Sequence, residues 1–111
     1  MAAVTALRSK TPDGGTPMLP AVQGALRHLA NHLSKNPGHK AALVLSTDGL
    51  PSPCSTTGQD DITEMVGAVS MAGKATPSIP TYVVGVYASG EIAKAQPELD
   101  RVATAGGSGR A

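Results

Sequence analysis

Two stretches of this chain limit what it can fold into. Ala41-Ala42-Leu43-Val44-Leu45-Ser46 and Thr81-Tyr82-Val83-Val84-Gly85-Val86 are runs of apolar and β-branched residues without polar alternation. Such runs mark strands buried on both faces, as in parallel sheets. Between them, Asp61 and Glu64 have the spacing of a capping box. Ile62, Met65, Val66, Val69 and Ala72 then recur on one helical face, and Gly73 and Pro77 close the helix. Strand, helix, strand is a right-handed βαβ unit, so the fold class is α/β. A two-stranded parallel sheet leaves both outer edges unpaired and much of its faces uncovered. The reading therefore expects further sequence belonging to this fold outside the chain.

The flanking segments read as helices and turns. Ala2 to Arg8 has the character of a helix end and leads into a turn-rich stretch that includes Pro12, Asp13, Gly14 and Gly15. Thr16 is placed to cap a helix, with Pro17 at its first position. Leu19, Val22, Leu26, Leu29 and Leu33 form the apolar stripe of that helix, and Asn36-Pro37-Gly38 stops it. Residues 50–60 are a polar loop. Pro97 is expected to start a short third helix carrying Leu99, Val102 and Ala103, closed by Gly106-Gly107. A length of 111 residues allows one domain at most, and the whole chain reads as part of one.

Composition narrows the function. Hydrophobic residues make up 41% of the chain, but 17 of them are Ala, there is no Trp or Phe, and Tyr82 and Tyr87 are the only aromatics, so the core is small in volume. A net charge of +1 leaves no nucleic-acid footprint. No apolar run is long enough to span a bilayer. The first residues carry neither a charged nor an apolar leader segment, so no signal peptide is expected within this chain, and localisation is not legible. A single cysteine, Cys54, excludes an internal disulfide.

Four segments, in order, resemble the von Willebrand factor type A domain family, in a form nearer to its bacterial members than to integrin inserted domains. Gly14-Gly15-Thr16-Pro17, with Ala21 and Leu26 on the following helix, is similar to the family's Gly-Thr loop. Leu43-Val44-Leu45-Ser46-Thr47-Asp48-Gly49 is similar to its fourth strand, and Ile79-Pro80 with the run 81–86 to its fifth. Leu99-Asp100-Arg101-Val102-Ala103 and Ala105-Gly106-Gly107-Ser108-Gly109 are similar to the helix and turn before its sixth strand. The resemblance implies a partial doubly wound, Rossmann-like sheet with helices on both faces. It implies a non-enzymatic protein-binding or adhesion module, which takes a protein or surface ligand at the strand ends through Mg²⁺ or Mn²⁺. Carried over by position, Thr16 and Asp48 match two ligands of the metal-ion-dependent adhesion site. The Asp-x-Ser-x-Ser loop that supplies the others is absent from this sequence. The resemblance thus implies a domain truncated at both ends, with an incomplete metal site.

Other residues invite sharper chemistry. Ser46, Thr47 and Asp48 at a strand end give an alternative reading, a small hydrolase or phosphotransferase of haloacid-dehalogenase type. That reading requires an Asp nucleophile after an earlier strand, and none is visible. His28 and His32 have the i, i+4 spacing of two metal ligands, yet they flank the apolar stripe and read as solvated. Cys54 lies in a Pro/Ser/Thr loop with no neighbouring His and reads as an unremarkable loop thiol, or as one paired with a cysteine outside this chain, instead of as a nucleophile. Gly106-Gly107-Ser108-Gly109 follows a helix instead of a strand, so it reads as a turn and not as a phosphate loop.

Overall fold

The structure, a computed structural model, describes residues 2–11 and 13–111; Pro12, read as part of the turn before the first long helix, lies outside them. Six elements follow in order. They are α1 (Ala2–Arg8), α2 (Met18–Lys35), β1 (Leu43–Thr47), α3 (Asp61–Lys74), β2 (Thr81–Gly85) and α4 (Ile92–Ala105). The chain is mixed α/β. β1 and β2 pair in parallel, with Leu43 opposite Thr81 and Thr47 opposite Gly85, and α3 makes the crossover.

The helices bury the stripes their spacing dictates. On α2, Leu19, Val22, Leu26 and Leu33 are buried and Leu29 is half-buried. On α3, Ile62, Met65 and Val69 are buried, while Val66 and Ala72 pack at the margin. α3 lies against both α2 and α4, α2 reaches β1, and α4 reaches β2. Leu99, Val102 and Ala103 of α4 close the cluster with no exposed surface. α1 buries nothing.

Three element boundaries differ from the sequence reading. α2 begins at Met18, with Pro17 in the capping position and no side-chain cap, so Thr16 is not the N-cap. The backbone of Thr16 is instead held by another loop. α3 is capped by Asp60, which accepts from the Thr63 amide (2.9 Å) and the Thr63 hydroxyl (2.7 Å). The cap lies one residue before the expected Asp61. α4 starts at Ile92, five residues before Pro97, which sits inside the helix. The proline ring leaves the Ala93 carbonyl without its usual i+4 amide.

The largest correction concerns the strands. Leu45, Thr81 and Val83 face the helices, whereas Val44 (64% exposed), Tyr82 (49%) and Val84 (47%) stand on an open face. All described helical packing lies on one side of the sheet. A run of consecutive apolar residues thus does not report two buried faces here. Beyond β2, the chain after α4 begins a third line of pairing. Thr81 donates to the Gly106 carbonyl (2.9 Å), and Thr81 and Gly107 form a parallel bridge. The outer edge of β1 has no strand partner among the described residues.

Candidate functional site

The carboxyl end of a parallel strand is where an α/β sheet offers loops to a ligand. β1 ends at Thr47, whose hydroxyl donates to the Gly49 carbonyl (3.0 Å) and accepts from the Gly49 amide (3.3 Å). This closes a tight turn with Asp48 exposed at its tip. Four residues on, Ser52 meets the segment that precedes α2. The Thr16 amide donates to Ser52 Oγ (2.7 Å), and the Ser52 amide donates to the Thr16 carbonyl (2.9 Å). Residues 36 positions apart are thereby held in a reciprocal pair. Gly15 is required for the approach, because a Cβ there would stand 2.6 Å from Ser52 Oγ.

The remainder of the loop is built on α3. Asp61 is only 6% exposed, and its carboxylate accepts from the Cys54 amide (2.9 and 3.1 Å) and the Ser55 amide (2.8 Å). A buried carboxylate requires such donors, and here they come from a loop that has no regular structure of its own. The Ser55 and Thr57 hydroxyls both donate to Glu64. Asp61 and Glu64 are thus loop anchors rather than the capping box their spacing suggested. An Asp-Asp pair at a loop–helix junction was the available signal, since one carboxylate can cap while the next turns back into the loop. Leu50, Pro51, Pro53, Asp61 and Ile62 line a shallow cleft beside this anchor.

Thr16 and Asp48, the two residues matched to metal ligands, therefore lie on loops gathered at the same end of the sheet. The donors present do not fit a Mg²⁺ centre. The Ser52 hydroxyl is committed to the Thr16 amide, and the Thr47 hydroxyl to its own turn. That leaves one carboxylate and one hydroxyl, which cannot replace the tightly held water of a hard octahedral cation. No cluster of three or more His, Cys, Asp or Glu residues suited to a metal occurs among the described residues.

The other candidates separate. Ser46 lies exposed opposite Val84 on the open sheet face, while the Thr47 hydroxyl is tied into the turn, so Ser46, Thr47 and Asp48 do not converge on one point. Cys54 is half-buried, with its thiol free. Gly106 and Gly107 close α4, and Gly107 takes a φ of 91°. His28 makes no pair with His32; His32 meets His39 instead, a partner that spacing along one helix could not indicate. No helix among the described residues is long and apolar enough to cross a membrane.

No protein-family model, curated protein or solved structure matches the chain.

Proposed function

We propose that the chain is a non-enzymatic binding module of von Willebrand factor type A character, which uses the strand-end loops around Thr16, Asp48 and Ser52 to meet a protein or surface ligand. One observation carries this reading: the reciprocal Thr16–Ser52 pair, which joins the Gly-Thr segment to the loop after β1. These are the two segments whose sequences resemble the family's ligand-binding loops. The parallel β1–α3–β2 order and the third line of pairing at Gly107 agree with a larger doubly wound sheet.

In this proposal Mg²⁺ belongs to the intact form of the domain, where an Asp-x-Ser-x-Ser loop joins Thr16 and Asp48. The free edge of β1 is where a strand bearing that loop would add. The test is to supply the strand as a synthetic peptide ending in Asp-x-Ser-x-Ser and to titrate Mg²⁺ by calorimetry. The expected result is saturable Mg²⁺ binding with the peptide, none without it, and none in Asp48→Ala or Thr16→Val. A peptide that binds the chain and brings no Mg²⁺ affinity would overturn the reading.

A further inference from the structure

We infer that His32 and His39 form a preorganised two-imidazole site for a borderline transition-metal dication such as Zn²⁺ or Cu²⁺, at the carboxyl end of α2 and apart from the strand-end loops. His32 Nε2 and His39 Nδ1 stand 3.0 Å apart, with ring centroids 5.2 Å apart and planes inclined at 42°. Two nitrogens at that distance share either one proton or one cation. Zn–N bonds of about 2.0–2.1 Å, at angles from about 90° to 109°, place two ligand nitrogens about 2.9–3.4 Å apart. The observed separation falls inside that range, so an ion can reach both nitrogens after a small rotation of the rings, as the proton between them moves to the other nitrogen of the ring that carries it.

The backbone builds this geometry. Asn36, Pro37, Gly38 and His39 make a turn closed by the His39 amide on the Asn36 carbonyl (3.1 Å), and Gly38 supplies a φ of +90°. Pro followed by a glycine of positive φ is the chemistry of a type II turn. Asn36 is itself fixed to the helix end, its amide on the His32 and Leu33 carbonyls and its Nδ2 on the His32 carbonyl (2.8 Å). The turn therefore folds His39 back over the last turn of α2 onto His32. Asn36 Nδ2 also stands 3.4 Å from His32 Nδ1. When Nε2 takes the ion, the ring proton moves to Nδ1, where solvent accepts it, and Asn36 Nδ2 keeps its bond to the His32 carbonyl. An outer hydrogen bond from the second ring nitrogen orients a metal-bound imidazole.

Charge acts in both directions. The negative end of the α2 dipole favours a cation, and the exposed ammonium groups of Lys35 and Lys40 oppose it. With imidazole donors and no carboxylate, the site favours Cu²⁺ over Zn²⁺ and gives Mg²⁺ no hold.

The test is calorimetric titration of the whole chain with Zn²⁺, then Cu²⁺ and Mg²⁺, with far-ultraviolet circular dichroism as the check on folding. The expected result is saturable one-to-one Zn²⁺ binding at submillimolar concentration, tighter Cu²⁺ binding and no Mg²⁺ binding. His32→Ala and His39→Ala should each weaken Zn²⁺ by more than about tenfold, while His28→Ala changes nothing. Gly38→Ala, which forces an L-residue into positive φ, should weaken binding with the helix signal unchanged. Loss of binding in His28→Ala but not in His39→Ala would overturn the assignment in favour of the helical pair. Absence of saturable Zn²⁺ binding in the folded chain would overturn it outright.

Discussion

Ser52 and Thr16 hold each other through two hydrogen bonds, 2.7 Å from the Thr16 amide to Ser52 Oγ and 2.9 Å from the Ser52 amide to the Thr16 carbonyl. Few other contacts tie the segment before α2 to the sheet, since residues 13–17 are all exposed. This pair, together with the buried start of α2 at Met18 and Leu19, sets the position of the Gly-Thr segment at the strand ends.

Gly15→Ala tests the closeness of that approach. Its Cβ would lie 2.6 Å from Ser52 Oγ and 3.0 Å from Ser52 Cβ. The substitution should lower stability by about 1 kcal/mol, as should Ser52→Ala. Because both break the same pair, the double variant should lose clearly less than the sum of the two singles in chemical denaturation. Additive losses would show that the pair is not formed.

Thr81 offers a stabilising change. It is fully buried, and its hydroxyl has no hydrogen-bond partner. Thr81→Val keeps the shape and removes an unpaired polar group, so stability should rise by about 1 kcal/mol, read from the denaturation midpoint. Gly106→Ala should do the reverse, because its Cβ would stand 2.6 Å from Thr81 Cβ and 2.8 Å from the Thr81 carbonyl oxygen.

Neighbours on β2 should respond very unequally to truncation. Val83 is 5% exposed and joins the core, whereas Val84 is 47% exposed on the open face. Val83→Ala should cost about 2 kcal/mol and Val84→Ala about 0.5 kcal/mol, measured as midpoint shifts. Equal costs would mean that the outer face is covered in solution.

Acid should loosen the start of α3. The Thr63 hydroxyl and amide, bonded to the Asp60 carboxylate, hold its pKa below the ordinary value. A carboxyl group depressed on folding stabilises the fold above its unfolded pKa, near 3.9, and that contribution fades as pH falls through the lower folded value. Stability should drop below about pH 4, and Asp60→Asn, which cannot titrate, should show a shallower decline. Identical acid profiles for the two proteins would contradict this.

Much of the fold was legible because its signals are local. The stripe Leu19, Val22, Leu26 and Leu33 can bury together only on a helix, and Gly106-Gly107 after Leu99, Val102 and Ala103 marks the end of another. The boundaries were less legible because the competition that sets them is tertiary. Thr16 had the side chain of a cap, but its backbone is recruited by Ser52 from 36 residues away. Asp60 and Asp61 are chemically alike, and only the loop that folds onto Asp61 decides which of them caps α3. Val44 and Val84 have strand propensity whichever face they occupy, so their exposure could not be read from residue type. At the candidate site, Thr16 and Asp48 were visible through resemblance. The Ser52 and Asp61 anchors were not, because a polar loop gives no periodic signal.

The most direct test of this account is the exchange rate of the Thr16 amide, followed by nuclear magnetic resonance in the native chain and in Ser52→Ala. The account predicts a protected Thr16 amide in the native chain and about tenfold faster exchange in the variant, as expected for one lost hydrogen bond. Core amides such as those of Leu99 and Val102 should change far less. A Thr16 amide already exchanging at the unprotected rate in the native chain would contradict the account, because the Gly-Thr segment would then not be held at the strand ends.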